Sequence, residues 1–149
     1  MMAPITVTQL WIYPIKSLAG CQLTTVDVTA RGLALDRRWM LVDNNGKFVS
    51  QRQFPSLSQL TIEITADGFI VSPKETPEMQ CTVPLSLPTS APEIDVTVWD
   101  STMLAQVAPE RINNWFSEWL GAPVRLVYMP DYSKRLVNTK YASQNEIVH

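Results

Sequence analysis

The sequence predicts a mainly-β fold of the α+β type: an antiparallel β-barrel of at least seven short strands with one amphipathic helix in the C-terminal half. Three observations carry this. Short apolar segments, several with period-two alternation, recur along the chain between turn residues. Eleven prolines against five glycines, spread over 149 residues, break long helices and mark many corners. Only one segment, Pro109 to Leu120, has helical periodicity.

Taken in order, Ile5 to Tyr13 is rich in Val, Ile, Trp and Tyr and reads as a strand closed by Pro14. Gln22 to Val28 places Leu23, Val26 and Val28 among threonines, a further strand. Arg38 to Val42 and Lys47 to Gln51 flank Asp43-Asn44-Asn45-Gly46, and Asn-Gly between apolar runs is a strong hairpin signal. Leu60 to Thr65 and Phe69 to Ser72 flank Ala66-Asp67-Gly68, a second hairpin. Glu93 to Trp99 and Thr102 to Val107 flank Asp100-Ser101, a third. Residues 73–92 hold five prolines and read as an irregular crossing, with one short strand around Met79 to Val83.

Within Pro109 to Leu120, the residues Ile112, Trp115, Phe116, Trp119 and Leu120 share one helical face. Pro109 suits the first helical position and Gly121 the position past the end, while Ala108 has no side-chain acceptor for a cap. Val124 to Met129 is the last strand. Beyond Pro130 the chain turns polar, so residues 1–130 read as one domain and 131–149 as a polar linker. A two-sheet sandwich is the alternative to a barrel. Trp115 and Trp119 belong to the expected core, as do Trp11, Trp39 and Trp99 on strands.

Composition limits function. Apolar residues make up 46%, enough for one real core. Charged residues make up 17%, below the roughly 25% average, which argues against charge-driven disorder. A net charge of −2 offers no basic field for nucleic acid. Two cysteines, Cys21 and Cys81, make neither a disulfide scaffold nor a four-ligand zinc site. No apolar run approaches the ~18 residues of a membrane span, and no signal-peptide pattern opens the chain. The expectation is a soluble, cytoplasmic protein with free thiols and neither nucleic acid nor membrane as partner.

The single histidine, His149, excludes a histidine-based triad or a multi-imidazole metal site within this chain. No glycine-rich phosphate motif occurs. Cys21 follows Lys16-Ser17-Leu18-Ala19-Gly20, and a nearby lysine can lower a thiol pKa, although a small residue at a strand start is the plainer reading. Two clusters say more. Tyr13-Pro14-Ile15-Lys16-Ser17 puts a cation and a hydroxyl in a loop after a strand. Gly32-Leu33-Ala34-Leu35-Asp36-Arg37-Arg38-Trp39 sets paired arginines beside an acid, and Ser50-Gln51-Arg52-Gln53-Phe54-Pro55 follows downstream. If these loops converge, Lys16, Ser17 and Arg37 form a small anion site through charge-assisted hydrogen bonds. A structural Asp36–Arg pair with solvated cations is the competing reading.

These motifs together resemble the N-terminal β-barrel domain of the MOSC family, which includes the mitochondrial amidoxime-reducing components and bacterial molybdoenzymes that reduce N-hydroxylated bases. The resemblance rests on Leu10-Trp11-Ile12-Tyr13-Pro14-Ile15-Lys16-Ser17, on Gly32-Leu33, Asp36-Arg37 and Trp39, on Arg52-Gln53 and Pro55, and on Val98-Trp99 with Ile112-Asn113-Asn114-Trp115-Phe116. It implies that the barrel precedes a C-terminal MOSC domain carrying the molybdenum-ligating cysteine, which neither Cys21 nor Cys81 matches. It further implies that Lys16, Ser17 and Arg37 contact the phosphate and pterin of a molybdenum cofactor (molybdopterin), with Arg52 facing the same region. The chain alone is then expected to hold no cofactor and to catalyse nothing. In the parent reductase its partners would be the MOSC domain, an iron–sulfur electron donor and a small N-oxygenated substrate. A stand-alone binding or structural barrel for substrate or a protein partner is the rival expectation.

Overall fold

The computed structural model describes residues 3–133. Its strands are β1 (Leu10–Ile12), β2 (Cys21–Leu23), β3 (Val28–Thr29), β4 (Gly32–Leu33), β5 (Trp39–Val42), β6 (Leu60–Ile64), β7 (Gly68–Pro73), β8 (Cys81–Pro84), β9 (Glu93–Val98), β10 (Ser101–Val107) and β11 (Arg125–Tyr128). One helix, α1 (Glu110–Leu120), lies between β10 and β11. The strands form four sheets, ordered β1-β2, β3-β4, β6-β7-β8 and β5-β11-β10-β9. Every pair within them is antiparallel.

The four-stranded sheet curls and closes. Residues 46–48 lie against the outer edge of β9, where Phe48 N–H donates to Thr97 O (3.0 Å) and Thr97 N–H to Gly46 O (2.8 Å). On its other side the same segment bridges β5 through Val42 and Phe48. Gly46 makes the approach possible: its φ is +76°, and a Cβ there would lie 2.6 Å from Asp95 O.

Period-two alternation then sorts side chains between two cores. Met40 and Val42 of β5, Val127 of β11, Met129 just beyond it, Val96 and Val98 of β9, and Met103 and Ala105 of β10 fill the small core inside the ring. Trp39, Leu41, Leu126 and Tyr128 point the other way, into a larger core. That core is completed by Leu60, Ile62, Phe69, Val71 and Val83 of the three-stranded sheet and by Ile112 and Phe116 of α1. β5 and β11 are thus almost wholly buried, which explains their continuous apolar runs.

The helix is held by its sequence at both ends. Pro109 is its N-cap and gives no side-chain hydrogen bond, while Glu110 sets an acid in the first turn, favourable to the helix dipole. Gly121 closes it in the left-handed conformation (φ +70°). Buried Asn113 stitches it to the sheet: its Nδ2 donates to Ala108 O (3.0 Å), and Leu126 N–H donates to its Oδ1 (2.8 Å).

Several expectations change. The strand foreseen over Lys47 to Gln51 is reduced to bridges at Lys47 and Phe48. Gln22 to Val28 divides between β2 and β3, and Ile5 to Tyr13 narrows to β1. The β3–β4 hairpin and a 3-10 turn over Pro55–Gln59 add elements the pattern did not announce. Trp11 and Trp99 are exposed, at 45% and 66%, not core residues. Alternation turns Trp11 away from buried Ile12, and Trp99 lies in the loop beyond buried Val98. Of the polar segment 131–149, residues 134–149 lie outside the described residues.

Candidate functional site

Three loops meet at one end of the molecule. The first hangs between buried anchors, Ile15 and Leu18, which leave Lys16 and Ser17 between them. Lys16 N–H donates to Trp39 O (2.8 Å), and Ser17 has φ +77°. The second loop is clamped onto the first by Asp36: Tyr13 N–H donates to its Oδ1 (2.7 Å) and Arg37 Nη1 to its Oδ2 (2.6 Å). Arg37 N–H returns to Tyr13 O (2.8 Å), and its guanidinium lies 5.1 Å from the Tyr13 ring centroid. In the third loop, Gln51 Nε2 donates to Ser17 O (2.6 Å) and ties that segment to Lys16-Ser17.

The adjacent arginines have different tasks. Arg38 is structural: its Nε and Nη2 donate to Met129 O (2.9 and 2.6 Å), Nη2 pairs with Asp131 (2.9 Å), and it covers the Tyr128 ring, which stacks on Trp39. Arg37 faces a cleft of about 390 Å³ that Lys16, Ser17 and Arg52 also line, with Tyr13 and Phe48 as its aromatic walls. All four residues singled out from the sequence therefore converge. The Asp36–Arg37 pair exists as well, but it occupies only Nη1 of a five-donor guanidinium.

No carboxylate lines this cleft, although the whole chain carries net charge −2. The Lys16 ammonium sits 4.5 Å from the Phe48 ring centroid. A cleft lined by three cationic side chains and the hydroxyl-bearing Ser17, Ser50 and Tyr13, with no acid, suits a phosphate-sized anion. Leu35 (φ +66°), Arg37 (φ +50°) and Ser17 all hold positive φ without being glycine, each a strain of roughly 1–3 kcal/mol that the surrounding bonds impose.

A second cleft of about 370 Å³ continues from the first, sharing Phe48, Ser50 and Arg52 and adding Lys47 and Trp99. Sequence reasoning did not single out Lys47 or Phe48, and it placed Trp99 in the core. Lys47-Phe48 were signalled only by following an Asn-Gly turn, and Trp99 by preceding a turn aspartate and by the Val98-Trp99 pair of the family resemblance.

The thiols stand apart. Cys21 donates its Sγ–H to Ile62 O (3.0 Å), and burial pushes its pKa up, which argues against the reactive-thiol reading drawn from Lys16 five positions upstream. Burial also raises Cys81, partly offset by Arg111. Neither cysteine lines the clefts. Among the described residues no cluster of three metal-ligating side chains occurs, and no helix is long and apolar enough to cross a membrane.

A partly closed β-barrel bearing a cationic loop cleft defines the class of domain. The family described as the MOSC N-terminal beta barrel domain matches residues 4–123, and the chain belongs to that family. It is 32% identical over 135 residues to a molybdenum cofactor sulfurase of Oryza sativa subsp. japonica, covering 89% of this chain and 15% of that protein. It is 27% identical over 153 residues to mitochondrial amidoxime-reducing component 1 of Mus musculus, covering 97% and 44%. With mitochondrial amidoxime reducing component 2 of Bos taurus the identity is 32% over 148 residues, covering 95% and 41%. The chain thus spans less than half the length of these relatives. A solution structure from Bordetella bronchiseptica shares the fold, with TM-score 0.55 and 18% identity, covering 72% of this chain and 90% of that one.

Proposed function

We propose that this domain supplies the phosphate- and pterin-contacting half of a molybdenum-cofactor site in a larger MOSC-type reductase of N-hydroxylated compounds. One observation carries the reading: Lys16, Ser17, Arg37 and Arg52 line one carboxylate-free cleft. The donor set fits the anionic phosphate of the cofactor. It does not fit the metal, because the two thiols are buried elsewhere. The molybdenum ligand then belongs to a C-terminal MOSC domain, the first partner of this chain. When bound there, the cofactor supplies the two-electron chemistry that removes oxygen from an N–O substrate, with electrons from an iron–sulfur donor. Relatives named for a sulfurase and for amidoxime reduction are named for different activities, and the cofactor is the feature this reading takes them to share. A cytoplasmic setting, where thiols stay reduced, is part of the same reading.

Within this chain the work is binding and orientation. Lys16 and Arg37 neutralise the phosphate, the Ser17 hydroxyl donates to it, and Asp36 holds Arg37 against Tyr13. Each charge-assisted bond contributes about 1.5–3 kcal/mol. In the full-length protein, Lys16→Ala and Arg37→Ala should each lower the molybdenum and pterin content while thermal unfolding of the barrel is retained. Full cofactor content in both variants would sink the assignment. Amide perturbation by titrated phosphate confined to residues 73–92 would favour a separate binding module instead.

A further inference from the structure

β1 begins later than its sequence does. Residues 3–9 are all exposed, and among the described residues no strand pairs with them. Yet Ile5-Thr6-Val7-Thr8 are four consecutive β-branched residues, with apolar and hydroxyl side chains alternating at the period of a strand. The segment also enters β1 in phase. Trp11 Nε1 donates to Gln9 Oε1 (3.1 Å), a contact between residues two apart on one strand face. By parity Ile5 and Val7 belong to that outward row, and they are 101% and 72% exposed, whereas Ile12 of the opposite row is fully buried. Natural sheet edges are blunted by charged side chains, by proline or by bulges. Here no charged residue precedes Lys16, and Pro4 stands ahead of the run, where it leaves positions 5–9 free to pair.

We propose that residues 5–9 become a strand by adding to an open sheet edge of the C-terminal domain in the full-length protein, with Ile5 and Val7 seated on apolar side chains of that edge. Main-chain hydrogen bonds supply the attraction and the alternate side chains the register, as in other cases of strand addition. The proposal rests on the reading that such a domain follows, and not on its cofactor. The fold favours this occupant over a second copy. The chain leaves the barrel beside the end of β1, where Met129 N–H donates to Arg38 O (2.8 Å) and Arg37 N–H to Tyr13 O (2.8 Å). Two copies joined through 5–9 alone would bury far less than the ~1,200 Å² at which stable interfaces begin. A tethered domain needs no such area, because its effective concentration is already high. The added strand would also fix that domain beside the candidate site: Gln9 precedes Tyr13 of the cleft wall by four residues, roughly 13 Å of extended chain.

Amide exchange in the full-length protein tests this. Thr6, Thr8 and Gln9 should exchange roughly 100-fold more slowly there than in the 149-residue chain. Val7→Pro removes a ladder donor and should return Thr6 and Thr8 to the rate of the shorter chain, while Val7→Ile should keep the protection. In the 149-residue chain Val7→Pro should leave the melting temperature unchanged, because the residue is exposed and unpaired there. A lower melting temperature would place Val7 in the packing of the barrel and overturn the proposal. Fast exchange at these amides in the full-length protein, or protection that survives Val7→Pro, overturns it as well. So does protection that appears in the 149-residue chain and grows with its concentration, which makes a second copy the occupant. The cofactor reading fails separately: full molybdenum content in Lys16→Ala and Arg37→Ala, with residues 6–9 still protected, removes the anion site and leaves the added strand standing.

Discussion

The closed sheet and the loop cleft beside it obey different rules. In β5 and β11 each residue's direction follows from its parity, and successive side chains drop into one core or the other. In the cleft, backbone at Ser17, Leu35 and Arg37 sits at positive φ, and position depends on single hydrogen bonds such as Tyr13 N–H to Asp36. The sheet is stabilised by area removed from water, which is tolerant in detail and costly to remove. The cleft is stabilised by few directional contacts, so it can carry exposed cations at little cost to the fold. A rigid packed layer under strained, polar loops is a common division between stability and binding.

That contrast can be broken most sharply in the packed layer. Phe116, fully buried in the larger core, should cost about 3–5 kcal/mol on replacement by alanine, read as a fall in urea midpoint. Asn113→Ala strands both Ala108 C=O and Leu126 N–H, and should cost about 2–4 kcal/mol in the same titration. Gly46→Ala tests the ring closure: positive φ and the nearby Asp95 carbonyl should together cost about 1–3 kcal/mol. Loss of amide-exchange protection in β9 before β6 would locate the damage at the seam.

The cleft should respond the other way. Arg37 is 41% exposed as a side chain, so Arg37→Ala should change stability by at most about 1 kcal/mol while weakening phosphate binding about tenfold or more. A stability loss as large as that of Phe116→Ala would mean the loop belongs to the packed layer. The smallest effect concerns the thiols. Folding raises the pKa of both Cys21 and Cys81 above the ordinary 9.0, so the folded state holds these protons more tightly than the unfolded one. Their contribution is fully present below pH 9.0 and is lost as pH rises through the folded-state values. Unfolding titrations at pH 8 and 10 should show the drop, and Cys21→Ala with Cys81→Ala should flatten it.

Much of this was legible from the chain. The hairpin at Asp67-Gly68, the β9–β10 pair and the helix follow from period and turn chemistry, because those are local properties. The cluster of Lys16, Ser17, Arg37 and Arg52 was legible as a motif set, although its convergence in one cleft needed the fold. The strand foreseen at Lys47 to Gln51 shrank to a short arm that pairs with β5 at Phe48 and, in parallel, with β9 at Lys47, some fifty residues away, a partner no local pattern announces. Trp11 and Trp99 were misjudged because aromatic identity speaks for burial, whereas parity and loop position decide it.

By itself, the sequence determined the mainly-β class, the helix and its glycine stop, and the cationic and hydroxyl residues of the two short loop motifs, since each depends on neighbours a few positions apart. Only the tertiary structure decided that residues 46–48 seal the curled sheet, that Arg38 is consumed by Met129 and Asp131 while Arg37 reaches the cleft, and that Trp99 stands beside Arg52. These depend on contacts between segments far apart in the chain, where the free energy of a choice lies in the partner and not in the residue.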